Sequence, residues 1–435
     1  MVEAQLFVMA GGAGKRLSPL TRDRAKPAVP MGGNYRIIDW VLSNAFNSGI
    51  NNIKVAIQYK PISLHNHLTQ GWVPKFRAGG LEALNSSPRE GGLEGYVGTA
   101  DSLIQNLPRL RCPQNASRLD RGTSKAGVID VFGGDHVYLI DIREINNYHL
   151  NQDAHLTISA IPVSVELAAK NYGVLVVDEN YRLIGFEEKP ENPTPIPGNP
   201  NICLASMGNY VFNPETLYNI LSEDGEKEFT RDRNLIAKNR KKYSSHDFGF
   251  DIIPWMLENN YEIFVYNFNN NIVPGAEEKE RGFWRDVGDL DQFYAANKDL
   301  IGIIPVLNIY NSEWPIHSWS PFTQPAKFVG SSNGSNPFIV SDSLVGNSSI
   351  ISYSEVNGSI IGPNVYIDKA TVKDSILLGN SRVNPKSHIE NSIIDKGVIV
   401  PEGISIGVDK QKDKERGFTI SPKDITVVPR DYKFE

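Results

Sequence analysis

Residues 5–27 read Gln5-Leu6-Phe7-Val8-Met9-Ala10-Gly11-Gly12-Ala13-Gly14-Lys15-Arg16-Leu17-Ser18-Pro19-Leu20-Thr21-Arg22-Asp23-Arg24-Ala25-Lys26-Pro27. The apolar run Leu6 to Ala10 predicts a parallel strand covered on both faces. It breaks into three glycines in four positions, which open backbone conformations closed to other residues and remove the Cβ atoms that keep a ligand away. Lys15, Arg16, Arg22, Arg24 and Lys26 follow at once. A glycine turn after a strand, backed by cations, is suited to cradling phosphate with backbone N–H groups and charge. The spacing fits neither the dinucleotide fingerprint nor the P-loop.

Working outward, Tyr35 to Ser48 carries Ile37, Ile38, Trp40, Val41, Leu42, Ala45 and Phe46 at helical spacing, with Gly49 as its stop. Ile53 to Tyr59 reads as the next strand, so the order is strand, helix, strand, and the sheet is parallel. Residues 75–98 read as a long loop, and a helix is expected from Thr99 to Leu110. Further strands are expected at Val128–Phe132, Leu156–Ile161 and Ala205–Phe212, with a hairpin from Tyr172 to Pro190. Helical runs follow Ser245-His246-Asp247-Phe248 and Trp284-Arg285-Asp286-Val287-Gly288. Alternation of this kind predicts an α/β domain with a mostly parallel sheet over residues 1–300.

The last third has another period. Ser343-Leu-Val-Gly346, Ser359-Ile-Ile-Gly362, Ser375-Ile-Leu-Leu-Gly379 and Ser392-Ile-Ile-Asp395 recur every 16 or 17 residues. Between them lie Val356, Val365, Ile367, Val372, Val383, Ile389 and Val398. Three short strands per coil account for this, giving a parallel β-helix of about four coils over residues 328–435. The Pro-rich residues 301–327 read as a linker. The single histidine of the coils, His388, argues for a structural or allosteric role there.

The chain has 435 residues, 40% hydrophobic and 22% charged, and a formal net charge of −6. That balance argues against a nucleic-acid partner, so the basic cluster is aimed at a small anion. Cys112 and Cys203 make no disulfide framework. Without a leader or an apolar run of spanning length, a cytoplasmic protein away from the membrane is expected.

Asp135, in Gly133-Gly134-Asp135-His136, falls just past the carboxyl end of a strand, where open α/β sheets form ligand crevices. Asp286 stands in a second polar turn. Two such carboxylates converging on a phosphate cradle would hold Mg²⁺ through oxygen, although each suits a helix cap equally well. Glu188-Lys189-Pro190 offers a lysine for a phosphate, or a solvated surface charge.

Together with Arg24-Ala25-Lys26-Pro27, Gly98-Thr99-Ala100-Asp101, Ala205-Ser206-Met207-Gly208 and Ser245-His246-Asp247-Phe248-Gly249, these motifs stand in the order found in one family. The chain closely resembles the glucose-1-phosphate adenylyltransferases (ADP-glucose pyrophosphorylases), which are sugar nucleotidyltransferases, over nearly all its length. The resemblance implies a Rossmann-like catalytic domain and a C-terminal left-handed parallel β-helix. It implies Mg²⁺-dependent reaction of ATP with glucose 1-phosphate, giving ADP-glucose and pyrophosphate for glycogen or starch synthesis. Catalytic roles would fall to Arg16, Lys26 and Asp135, and the metal to Asp135 and Asp286. Gly11, Gly12, Gly14, Arg16, Lys26, Gly98 and Thr99 would meet the nucleotide. Tyr96, Gly173, Glu188, Lys189 and Ser206 would hold the glucose 1-phosphate. A homotetramer and a small-molecule allosteric effector are also implied.

The family's Ala-Gln-Gln before Gly-Thr-Ala-Asp, where glutamine helps to read adenine, corresponds here to Leu84-Asn85-Ser86. One alternative is therefore a sugar-1-phosphate nucleotidyltransferase using UTP or GTP; a separate one is a non-catalytic regulatory subunit of the same enzyme, although such paralogues lose the metal aspartates or loop cations and Asp135, Asp286, Arg16 and Lys26 are all present.

Overall fold

The computed structural model describes residues 3–77, 79–86, 95–110, 127–330 and 338–434. Cys112 and part of the expected loop at 75–98 lie outside them.

Nine strands form the central sheet: β1 (Ala4–Ala10), β2 (Ile53–Ile57), β3 (Leu81–Asn85), β4 (Val128–Gly133), β5 (Leu156–Ser164), β6 (Gly173–Val177), β7 (Leu183–Glu188), β8 (Ile202–Phe212) and β9 (Ile263–Asn267). β1 lies between β2 and β4, parallel to both, and β2 continues parallel to β3. On the far side the sheet passes through β8, which runs antiparallel to β4, β5 and β6. β9 pairs parallel with β5, and β6–β7 is the expected hairpin.

Successive residues of β1 enter two different cores. Leu6, Val8 and Ala10 pack with helix α1 (Ile38–Asn47) and helix α2 (Ile142–Asn151). Phe7 packs on the other face with Leu217, Ile220 and Leu221 of helix α3 (Pro214–Gly225). Both faces are covered, which is why the strand is apolar throughout. The helix expected at 99–110 is shorter. It spans Asp101–Ile104, and Pro108, which has no N–H to donate, sits in a separate turn at Leu107–Arg109.

The C-terminal region is a three-sided left-handed β-helix with parallel sheets along its sides. Its corners carry a left-handed residue every five or six positions, among them Asp342, Ser348, Tyr353, Gly358, Asn364, Lys369 and Asp374. The serine beats have a physical cause. Ser359 N–H donates to Ser343 Oγ at 3.0 Å, Ser375 N–H to Ser359 Oγ at 3.1 Å, and Ser392 N–H to Ser375 Oγ at 3.2 Å, a ladder down one corner. A fifth coil is hidden from the repeat. Its third strand, Thr426–Val428, follows an excursion containing a helix at Lys410–Glu415, so it pairs with Ser392–Ile394 out of period.

Each pair of apolar residues after a serine, or after Thr426 in the last coil, serves two cores. Ile361, Leu377, Ile394 and Val428 fill the coil interior. Their neighbours Ile360, Ile376, Ile393 and Val427 face outward, into a cluster with Leu17, Leu20, Val29, Met31 and Trp40 of the first domain. Helix α4 (Leu290–Lys298) joins this docking: the Lys298 ammonium donates to Asp374 Oδ1 and to the Gly358 carbonyl, both at 2.6 Å. Residues 301–326 hold no helix or strand, yet Leu307 and Trp314 are buried, and Trp314 Nε1 donates to Asn44 Oδ1 of α1 at 3.1 Å. No helix among the described residues is long and apolar enough to cross a membrane.

Candidate active site

A cleft of about 590 Å³ opens above the carboxyl ends of β1, β2 and β4, a size usual for small-molecule sites. Gly11, Gly12, Arg16, Tyr96, Gly98, Thr99, Asp135, Gly173, Glu188, Lys189, Ser206 and Asp286 all line it. Twelve residues named from the sequence therefore meet in one place.

Lys26 and Gly14 stand beneath this lining. Gly14 adopts φ 58, and a Cβ there would lie 2.8 Å from Lys26 Cβ. Its glycine is required by the turn that seats Lys26. Lys26 is 5% exposed, and its Nζ lies 3.0 Å from Asp135 Oδ2, 3.5 Å from Asp286 Oδ1 and 2.9 Å from the Asp286 carbonyl oxygen.

What brings Asp135 to Asp286 is a two-rung antiparallel ladder, Val137 with Arg285 and Tyr138 with Trp284. His136 completes the group, with Nε2 at 3.4 Å from Asp286 Oδ1 and the ring edge-on to Trp284. Burial alone would raise the Asp286 carboxyl, but His136, Lys26 and Arg16 outweigh it and hold the group far below the ordinary carboxylate range. Burial opposes ionisation of Asp135 too, and Lys26 with His136 overcomes it, so this carboxyl is also lowered. Arg16 reaches the same turn: a Cβ on Gly288 would lie 2.8 Å from Asp286 Oδ2 and 2.9 Å from Arg16 Nη2.

The two carboxylates fit a hard divalent cation. Both are held ionised, and 33% and 23% of their side chains remain open to the cleft. Such a cation takes oxygen ligands and keeps positions for water and phosphate. Among the described residues, no group of three or more His, Cys, Asp or Glu forms a closed metal cage.

Three non-glycine residues beside the cleft adopt left-handed backbone: Lys189 (φ 49), His246 (φ 56) and Val287 (φ 44). Such strain persists only where the surroundings over-determine it, commonly in functional turns. The Tyr96 ring is 3.6 Å from a Cβ built on Gly11, and its hydroxyl accepts from Asn106 Nδ2 at 3.2 Å.

Sequence reasoning did not single out Gln58, Tyr172, Asp247 or Trp284, which also line the cleft. Gln58 Oε1 accepts the Tyr96 N–H at 3.0 Å and so ties the 95–96 turn to β2. Asp247 resembles a helix cap and is one, accepting the N–H groups of Gly249 and Phe250 at 3.0 Å each, yet it also takes the Thr99 hydroxyl at 3.0 Å.

The family profile described as nucleotidyl transferase matches residues 6–302, and one described as GlmU-like C-terminal hexapeptide matches 324–428. The chain is 41% identical over 427 residues to the glucose-1-phosphate adenylyltransferase of Trichlorobacter lovleyi, covering 98% of this chain and 96% of that one. It is 39% identical over 424 residues to that of Geobacter metallireducens, covering 97% and 96% of the two chains. Against the Thermus thermophilus protein of the same name the identity is 40% over 459 residues, covering 100% and 99%. With a profile match over most of its length and such relatives end to end, the chain belongs to the nucleotidyl transferase family, in its glucose-1-phosphate adenylyltransferase branch.

Proposed function

We propose that the protein transfers the adenylyl group of ATP to α-D-glucose 1-phosphate, releasing pyrophosphate and forming ADP-glucose for α-glucan synthesis. The observation that carries this reading is the Asp135–Lys26–Asp286 arrangement at the foot of the glycine turn, in a chain whose relatives bear that activity as their name.

A phosphate oxygen of glucose 1-phosphate attacks the α-phosphorus, and the bond from that phosphorus to the oxygen bridging the α- and β-phosphates breaks, so that oxygen leaves with the pyrophosphate. The nucleophile arrives ionised and needs no general base. What the protein supplies is alignment of mutually repelling anions and neutralisation of charge on the leaving group. Arg16 and Lys26 are assigned to the pyrophosphate side, Gly11 and Gly12 to admitting the nucleotide, and Gly98 with Thr99 to the wall beside it. Gly14 acts by shaping the turn that seats Lys26. Lys189 is assigned to the sugar phosphate, and Glu188, Ser206, Gly173 and Tyr96 to the sugar side. The family generally uses a divalent metal, and we assign Mg²⁺ to Asp135 and Asp286; when bound it would neutralise phosphate charge.

Residues 1–300 would form the catalytic unit, 301–327 the connection and 328–435 the docked β-helix, in a cytoplasmic homotetramer answering to a small-molecule effector. The test is pyrophosphate release from glucose 1-phosphate and Mg²⁺ with ATP, UTP, GTP or dTTP in turn. Strong preference for ATP is expected. Preference for another base would refute the product, and no release with any of the four from folded protein would refute catalysis.

A further inference from the structure

Behind one wall of the cleft lies a buried network that touches neither substrate position. Gly98-Thr99 and Asp247-Gly249 both line the cleft, and their turns are fastened together. The Thr99 hydroxyl donates to Asp247 Oδ2 at 3.0 Å and accepts the Phe248 N–H at 2.9 Å. The His246 carbonyl accepts the N–H groups of Ala100 at 2.9 Å and Asp101 at 3.3 Å. A Cβ on Gly98 would fall 2.2 Å from the His246 carbonyl oxygen and 2.4 Å from that of Ser245, so the two backbones are in direct contact.

His246 makes these bonds from a left-handed backbone, φ 56, which a non-glycine residue adopts only under constraint. Asp224, at the end of α3, supplies the constraint. Its Oδ2 lies 2.7 Å from His246 Nδ1. The Ser244 hydroxyl donates to the same Oδ2 at 3.1 Å and accepts the His246 N–H at 2.9 Å. Lys227 Nζ stands 3.3 Å from Asp224 Oδ1, and the Phe229 ring stacks on the imidazole with centroids 6.0 Å apart. Both Asp224 and His246 are 1% exposed.

We propose that Asp224 and His246 are positioning residues for glucose 1-phosphate: their buried bond fixes the strained His246 backbone and thereby holds Asp247 in place on the sugar side of the cleft, with Thr99 as the tie between that turn and the nucleotide wall. The inference rests on the function proposed above. The side of the cleft follows from contact. A Cβ on Gly249 would lie 3.4 Å from the Phe186 ring, and one on Gly173 would lie 2.8 Å from the same ring and 3.4 Å from Glu188 Oε2. The turn at 247–249 is thus continuous with the wall assigned to the sugar, and preorganised groups of this kind act on binding through a second layer of support.

The test is Asp224→Asn in the full-length protein, assayed with ATP, glucose 1-phosphate and Mg²⁺ alongside backbone amide hydrogen exchange. KM for glucose 1-phosphate is expected to rise about tenfold, the scale of one weakened charge-assisted hydrogen bond, with a smaller rise in KM for ATP passed on through Gly98 and Thr99. Exchange at Ala100, Asp101 and Phe248 is expected to accelerate while the thermal midpoint stays near wild type. Unchanged exchange at those amides overturns the inference, as does a rise in KM for ATP equal to that for the sugar phosphate. Should Asp224→Asn not fold, Ser244→Ala, which removes only the bridging hydroxyl, carries the same expectations. A wild-type protein that releases no pyrophosphate sinks the functional reading instead, and the amide exchange still judges the Asp224–His246 bond.

Discussion

The ammonium of Lys26 stands 3.0 Å from Oδ2 of Asp135, below the glycine turn and almost out of contact with solvent. The same Nζ reaches Asp286, so one cation separates two carboxylates that would otherwise repel. Replacing it with a neutral isostere should therefore act on charge before shape. Lys26→Met is expected to lower kcat by about 100-fold or more, the scale of losing one preorganised charge at a reacting phosphate. Both aspartates are held below their ordinary range in the wild type, so neither should impose an acid limb above about pH 5. Without Lys26 their affinity for protons rises, and the acid limb of kcat/KM should move upward. A pH–rate profile that stays put would count against the bridging role.

Asp135→Asn and Asp286→Asn each keep side-chain size and remove a charge. Each variant is expected to fold and to lose most activity, roughly 1,000-fold. Chelation of divalent metal should silence the wild type, and added Mg²⁺ should restore it. Near wild-type turnover in either variant, measured by pyrophosphate release, would refute the metal assignment.

How much of this was legible beforehand depends on range. β1 and the glycine turn are local: the five residues Leu6 to Ala10 fix an apolar strand, and the cations follow within one loop. The serine beats are legible because each coil repeats the same corner, as the Ser343–Ser359–Ser375–Ser392 ladder shows. The fifth coil is not, because the excursion through Lys410–Glu415 moves its third strand out of period. Convergence of Asp135 with Asp286 depends on a two-rung ladder across about 150 residues, which spacing alone cannot reveal. Asp224 and His246 stay hidden for another reason. An acidic residue ending a helix and a histidine before a cap look like ordinary surface until the fold buries them against each other.

Gly12 separates access from folding. A Cβ built there meets nothing within 4 Å, so alanine adds a methyl group in open space. Gly12→Ala is expected to leave the thermal midpoint unchanged, or slightly raised through reduced freedom of the unfolded chain. KM for ATP should rise several-fold if the backbone here approaches the nucleotide. An unchanged KM would remove Gly12 from the nucleotide contacts.

Asp130 carries a pH-dependent cost. It is fully buried in β4, where Asn146 Nδ2 donates to its Oδ2 at 3.3 Å, and burial pushes its carboxyl up to about 8. From about pH 4 to pH 8 the unfolded chain gives up this proton and the folded chain keeps it, so the group's effect on stability becomes more unfavourable as pH rises. Asp130→Asn removes that dependence. The variant is expected to match wild type near pH 4 and to melt higher at pH 8, as read by calorimetry at both pH values. An equal difference at the two pH values would show that Asp130 is ionised in the folded protein.

Arg24 and Asp395 join the two domains through a buried ion pair. Arg24 Nη2 lies 2.7 Å from Asp395 Oδ1, and the side chains are 4% and 0% exposed. Burial raises the Asp395 carboxyl despite the opposing pull of Arg24, so desolvation of this pair is costly and its charge balance is fragile. Removing the cation alone leaves a buried carboxylate whose Oδ1 keeps the Lys396 N–H at 2.6 Å but loses its paired charge, at a cost of about 3–5 kcal/mol for a pair this deep. Arg24→Met should accordingly destabilise the protein strongly near neutral pH and less at low pH, where Asp395 can take up a proton. Adding Asp395→Asn should recover part of the loss, because the stranded charge is then gone. Denaturant unfolding of the wild type, both single variants and the double variant isolates the coupling. Additive losses would mean that the Arg24–Asp395 pair contributes nothing to the choice of seat.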